Sequence, residues 1–215
     1  MKILVAGLKG GLGKTTSAVN IAVQLAAEGE TALIDGDPVS QTAYDHHTVA
    51  YTQHGERLPF AVIPWATLDL PEKVASLAGQ YAHIVIDIGS GSEALLKAAC
   101  KAVGTPEPGE LLIPVRPNLG ELRRIPGTIT AAIEAQALSG AVVYPRVLLV
   151  DVPTHHLVED EAVAREFLAA NNIPTMAAHV RHSRLYPRQF GRAFTDVGDY
   201  AAVYAELRAE VEVAA

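Results

Sequence analysis

Three short stretches of this chain hold residues suited to binding a phosphate ester and a metal ion. The first is Lys9-Gly10-Gly11-Leu12-Gly13-Lys14-Thr15-Thr16. Its glycines let the backbone curl until several N–H groups converge on one anion. A helix starting near Thr15 would add the positive end of its dipole. Lys14 then suits the β- and γ-phosphates of a nucleotide, and the Thr15 hydroxyl suits Mg²⁺. The usual pattern, G-x-x-x-x-G-K-[ST], requires a glycine at position 8. Leu8 stands there instead, and a second lysine, Lys9, lies within the loop.

The other two stretches are Asp35-Gly36-Asp37-Pro38 and Asp87-Ile88-Gly89-Ser90-Gly91, each following an apolar run. A carboxylate at Asp87 can hold a Mg²⁺-bound water, since Mg²⁺ prefers oxygen ligands and keeps several waters. Asp35 and Asp37 can position or polarise an attacking water, or support the metal's shell. The chemistry implied is phosphoryl transfer to water, which works mainly by positioning and charge stabilisation.

Residues of this kind need a frame, and the periodicity predicts one. Residues 2–6 (KILVA), 31–35 (TALID), 60–64 (FAVIP), 83–88 (HIVIDI), 111–115 (LLIPV), 146–150 (RVLLV) and 175–180 read as strands. Residues 15–28, 70–80, 93–103, 125–139, 158–170 and 200–211 read as helices, whereas 40–58 are polar and carry no clear period. Residues 104–109 read as a loop. Strands alternating with helices predict an α/β fold: a mostly parallel twisted sheet with helices on both faces. With 215 residues and no internal repeat, residues 1–215 are expected to form a single domain. Ligands in such folds bind beyond the carboxyl ends of the strands, where all three polar stretches fall.

Composition narrows the class. Charged residues make up 19% of the chain, which describes an ordinary globular protein. The net charge of −7 argues against a general polybasic coat. The single cysteine, Cys100, rules out an internal disulfide and a cysteine-rich metal site, and its apolar run predicts burial. The chain shows no signal-peptide pattern and no apolar run near the ~18 residues of a membrane span, so a cytoplasmic protein is expected.

The motifs together resemble one family. KGGLGKTT (9–16) matches the deviant Walker A motif of the ParA/MinD superfamily. LIDGDP (33–38), IVIDIGSG (84–91) and LLIPVRPN (111–118) resemble its other conserved stretches, most like those of small, ParF-like partition ATPases. The resemblance implies a P-loop NTPase fold, with ATP and Mg²⁺ as cofactors and an ATP-dependent homodimer. It implies that Lys9 acts in trans on the partner's phosphates and Lys14 in cis. Gly10, Gly11, Leu12, Gly13 and Thr16 complete the phosphate loop. Thr15, Asp37 and Asp87 would serve the metal, Asp37 would help activate water, and Asp35 would support it. Two departures stand out: Val39 replaces the usual Gln after DP, and Gly104 to Gly109 replaces the usual Ala-Asp before the fifth strand.

Within that superfamily the acidic C-terminal end argues against a membrane-binding helix. Residues 176–194 hold Arg181, Arg184, Arg188 and Arg192 and no acidic residue, which suits sequence-independent contacts to DNA phosphates. Arg123 and Arg124 are candidates to extend that patch. The paired histidines His46-His47 and His155-His156 are expected at the surface, and Trp65 in the core. The implied function is plasmid or chromosome partition. The dimer would bind DNA, and a small centromere-binding partner of the ParB or ParG kind would trigger hydrolysis, giving a nucleoid-associated location. A positioning ATPase for a protein cargo, or a metabolic ligase on the same fold, are the alternatives.

Overall fold

The computed structural model describes residues 1–8, 11, 13–154 and 158–214, without side chains at 158–159 and 210–214. Seven strands form one sheet in the order β3-β2-β4-β1-β5-β6-β7, and every paired neighbour is parallel. The strands are β1 Lys2–Val5, β2 Thr31–Gly36, β3 Ala61–Pro64, β4 His83–Ile88, β5 Gly109–Val115, β6 Val143–Val152 and β7 Thr175–Arg181. Nine helices are described: α1 Lys14–Ala26, α2 Thr42–His54, α3 Leu70–Ser76, α4 Glu93–Val103, α5 Leu119–Leu122, α6 Ile125–Ser139, α7 Val158–Ala170, α8 Leu185–Gln189 and α9 Tyr200–Ala214.

A parallel sheet needs cover on both faces, and its central strands supply apolar residues to each. In β1, Ile3 and Val5 join the core under α1 and α9, while Leu4 joins the core under α4 and α6. β6 divides likewise, Leu148 and Val150 against Val147 and Leu149. Each such side chain, removed wholly from water, stabilises the fold by roughly 1.5–3 kcal/mol.

The exposed edge of β7 is blunted. Arg165 of α7 donates to the carbonyls of Met176 and Ala177, and Glu206 of α9 accepts from the N–H groups of Ala177 and Ala178. These side chains occupy backbone groups that would otherwise recruit another strand.

Several sequence expectations need adjustment. Residues 42–54, without clear period, are helix α2, which buries only Ala43, His46 and Ala50. Its first turn is held from another element, since Asp35 Oδ2 accepts from the Tyr44 N–H. His46 is accordingly not a surface residue. It is 4% exposed, edge-on to Phe190 and Phe194, and its Nε2 lies 3.2 Å from the Arg192 carbonyl. His155 and His156 lie outside the described residues. Gly109 belongs to β5 and not to the loop before it, and the strand takes in Glu110 as well. Cys100 is buried, and burial pushes its thiol up to about 12. Trp65 is partly buried against the core, with Lys73 Nζ 5.5 Å above its ring.

Candidate functional site

The strand order reverses at β1. The chain moves outward through β2 on one side, then crosses through α4 to β5 on the other. Such a switch point opens a crevice at the carboxyl ends of the strands. A cleft of about 650 Å³ lies there. Gly11, Gly13, Lys14, Thr15 and Thr16 line it from the glycine loop and the start of α1, Asp37, Val39 and Ser40 from the turn after β2, Thr42 from the start of α2, Asp87 and Ser90 from β4 and its turn, and Arg116 from just beyond β5. A slightly larger hollow, about 730 Å³, lies at the other end of the sheet beside Lys2 and residues 105–110. Lys2, Lys101, Arg208 and three glutamates line it, but neither the glycine loop nor Thr15, Asp37 or Asp87 does, so the smaller cleft is the candidate site.

Gly11 and Gly13 take φ of +75° and +71°, a region that side chains strain to enter. Gly13 thereby turns the backbone into α1, and its carbonyl accepts the Ser17 N–H at 2.9 Å. The N-terminus of α1 faces the cleft with no acidic residue in its first turn. Lys14 is 8% exposed. Burial lowers its pKa, opposed by the nearby carboxylates of Asp87 and Asp37.

Asp35 and Asp87 stand opposite each other in the register of β2 and β4. They serve different ends. Asp35 is fully buried and does not line the cleft; its oxygens accept from the N–H groups of Asp37 and Tyr44. It fixes the turn that carries Asp37. Asp87 is 2% exposed and reaches the cleft, where the Thr15 hydroxyl hydrogen-bonds to it. Burial raises its pKa to about 7. Its Oδ1 is buried with no hydrogen-bond partner among the described residues.

Asp37 accepts from the Val39 and Ser40 N–H groups at 2.9 and 3.1 Å and from the Ser40 hydroxyl at 2.7 Å. Its pKa is lowered by those hydrogen bonds and by Lys14, which together outweigh its partial burial. Its carboxylate packs over Gly89, where any Cβ would fall 2.6 Å from Asp37 Cγ. Glycine there lets the turns after β2 and β4 meet.

Of the residues singled out from sequence, Gly11, Gly13, Lys14, Thr15, Thr16, Asp37 and Asp87 meet on this cleft. Lys9, Gly10 and Leu12 lie outside the described residues. Ser40, Thr42, Ser90 and Arg116 line it too and were not singled out; each sits within or beside a quoted motif, which was the available signal.

The C-terminal arginines divide into two kinds. Arg181 makes two hydrogen bonds to Asp199, at 2.6 and 3.0 Å, and Arg192 pairs with Glu56 at 2.9 Å. Arg184 and Arg188 are exposed and form no ion pair among the described residues. Arg123 and Arg124, also exposed, follow β5, two strands away from β7. Val39 is 91% exposed at the rim of the cleft.

With this geometry in view, comparison with known proteins defines the class. Residues 3–189 match the model of the CobQ/CobB/MinD/ParA nucleotide binding domain. The chain belongs to that family. Among curated proteins it is similar to a maintenance of carboxysome distribution protein A from Gloeobacter kilaueensis, 29% identical over 84% of this chain and 76% of that one. Among solved structures, an ATP complex of an McdA variant from Cyanothece superposes with a TM-score of 0.71 at 16% identity, covering 96% of this chain and 95% of that one. A putative plasmid partition protein from Borrelia burgdorferi bound to AMPPNP gives 0.66 at 16% identity, covering 95% of each. Such distant structures show the shared fold. Among the described residues no helix is long and apolar enough to cross a membrane.

Proposed function

We propose that this chain is a ParA-type ATPase that hydrolyses ATP to ADP and phosphate with Mg²⁺. The observation that carries the proposal is the convergence of Lys14, Thr15, Asp37 and Asp87 on one cleft at the N-terminus of α1. Asp87 Oδ1, without a partner among the described residues and beside the Thr15 hydroxyl, fits the metal, since Mg²⁺ here would need only that hydroxyl, phosphate oxygens and waters held by one carboxylate. Mg²⁺, when bound, offsets phosphate charge and helps align the nucleotide.

The protein's own groups do the rest. The glycine loop and α1 hold the phosphates, and Lys14 follows the charge that builds between the β- and γ-phosphates. Asp37, fixed by Ser40 and kept ionised, orients the attacking water. Asp35 anchors its turn from beneath. Lys9 reaches the phosphates of a second copy, so that ATP sits at the seam of a homodimer. The dimer holds DNA non-specifically through Arg184 and Arg188, with Arg181 and Arg192 beside them, and so resides on the nucleoid. A small centromere-binding protein stimulates hydrolysis and release, moving plasmid or chromosome cargo.

A second reading keeps the cycle and makes the cargo a protein assembly. The carboxysome-distribution relative favours it. One experiment addresses both: ATP turnover with Mg²⁺, alone and with DNA plus the small proteins encoded beside this chain. Lys14→Ala should lose nucleotide binding. Lys9→Ala should bind ATP but lose stimulated turnover. Wild-type stimulation in Lys9→Ala rejects the trans lysine, and absent turnover in every mixture rejects the ATPase. Stimulation by a DNA-binding neighbour supports partition; stimulation by one bound to a protein assembly supports the second reading.

A further inference from the structure

We infer that Arg116 is a second nucleotide-binding cation of this same chain, held by Asp151 until nucleotide phosphates draw it away. The inference rests on the nucleotide reading above and concerns a residue to which that reading gives no role.

Three neighbouring strand ends build the feature. Arg116 directly follows β5, Asp151 is the penultimate residue of β6, and His182 directly follows β7. Arg116 Nε donates to Asp151 Oδ2 at 3.0 Å, while His182 Nδ1 lies 2.6 Å from Asp151 Oδ1. Asp151 takes a φ of +55°, an unusual conformation that Asp and Asn tolerate best. That conformation sets its carboxylate between the two flanking strand ends.

Arg116 is anchored at its backbone and loose at its tip. Its N–H donates to Glu121 Oε2, and Glu121 is itself buried at the start of the helix that Asn118 caps. Its side chain is 47% exposed, that of Asp151 40%. Ion pairs exposed to this degree are screened and weakly held. The same side chain lines the cleft. Among the described residues, Lys14 and Arg116 are the cations that do so, facing the carboxylates of Asp37 and Asp87. A nucleoside triphosphate brings several negative charges into that space. A guanidinium offers forked donors that match phosphate oxygens, and only one of its N–H groups is engaged by Asp151. His182 remains on Asp151 after the exchange, so the carboxylate is not left bare.

Exchange predicts effects of opposite sign at the two ends of the pair. Removing the cation weakens nucleotide binding; removing the competing negative charge strengthens it. A merely structural pair predicts that both changes weaken it. Binding of Mg²⁺·AMPPNP should be measured by calorimetry on the full chain, with thermal melting to verify that each variant is folded. Arg116→Ala should bind about tenfold more weakly, as for one lost charge-assisted hydrogen bond. Asp151→Asn, which keeps a residue tolerant of positive φ, should bind about two- to fivefold more tightly. Lys14→Ala serves as the reference that abolishes binding. Wild-type protein that fails to bind AMPPNP would sink the nucleotide reading itself. If wild type binds and Lys14→Ala does not, unchanged binding in Arg116→Ala overturns the exchange. So does equal or weaker binding in Asp151→Asn.

Discussion

Replacing Gly89 by alanine tests whether Asp37 must sit where it does. The added methyl would lie 2.6 Å from Asp37 Cγ and 2.7 and 2.8 Å from its two oxygens. Ordinary contacts between such atoms fall near 3.5–4.0 Å, so the carboxylate must retreat by about 1 Å. The obstacle is the end of a side chain, and φ at Gly89 is not in the left-handed region, so the fold should tolerate the change. The retreat would stretch the hydrogen bonds of 2.9, 3.1 and 2.7 Å that hold Asp37 toward or beyond the limit of such bonds. A misplacement of about 1 Å in a group that orients a reactant costs on the order of 10²-fold in rate. Steady-state phosphate release should therefore fall by about that factor, while AMPPNP affinity and melting temperature stay close to wild type. Turnover within threefold of wild type would refute the placement of the water-orienting group.

Two further outcomes follow from the charges. Burial holds the Asp87 pKa at about 7, against 3.8 as its ordinary value. Between about pH 4 and pH 7 the folded state thus keeps a proton that the unfolded state has lost, and stability from this group falls as pH rises across that window. The shift corresponds to at most roughly 4 kcal/mol. The nucleotide-free protein should melt lower at pH 7.5 than at pH 5, and Asp87→Asn should flatten that slope; a wild-type melting temperature rising across this window contradicts the assignment. In DNA retention, Arg184→Ala with Arg188→Ala should reduce the salt slope by about 2. Arg181→Ala with Arg192→Ala should act less, because those side chains would have to leave Asp199 and Glu56; equal effects would reject the distinction.

Much of the frame was readable from sequence where pattern and element coincide. β4, α4 and α7 are bounded as expected, at His83–Ile88, Glu93–Val103 and Val158–Ala170, because their apolar runs end at turn residues or caps such as Ser92. Helix α2 was not readable, because its inner face consists of two alanines and a histidine, and its first turn is secured by Asp35 from the end of β2. Distance in sequence hid His46, whose aromatic neighbours lie some 145 residues away at Phe190 and Phe194. The arginine stretch looked uniformly free because its own window holds no acid; Asp199 and Glu56 come from outside it. That Gly11, Gly13, Lys14, Thr15, Thr16 and Asp87 share one cleft was legible, because each lies in a short motif at a strand end. The pairing of Arg116 with Asp151 was not, because Asp151 reaches across from the next strand.

The central claim is that ATP joins two copies of this chain at the cleft. It is tested most directly by molar mass in solution, from light scattering with Mg²⁺ and either ATP, ADP or no nucleotide. The account predicts a chain of 22.8 kDa as a monomer without nucleotide and with ADP, and twice that mass with ATP. In Lys14→Ala the ATP-dependent doubling should vanish. A monomer under all three conditions, or a dimer of equal strength without nucleotide, would contradict it.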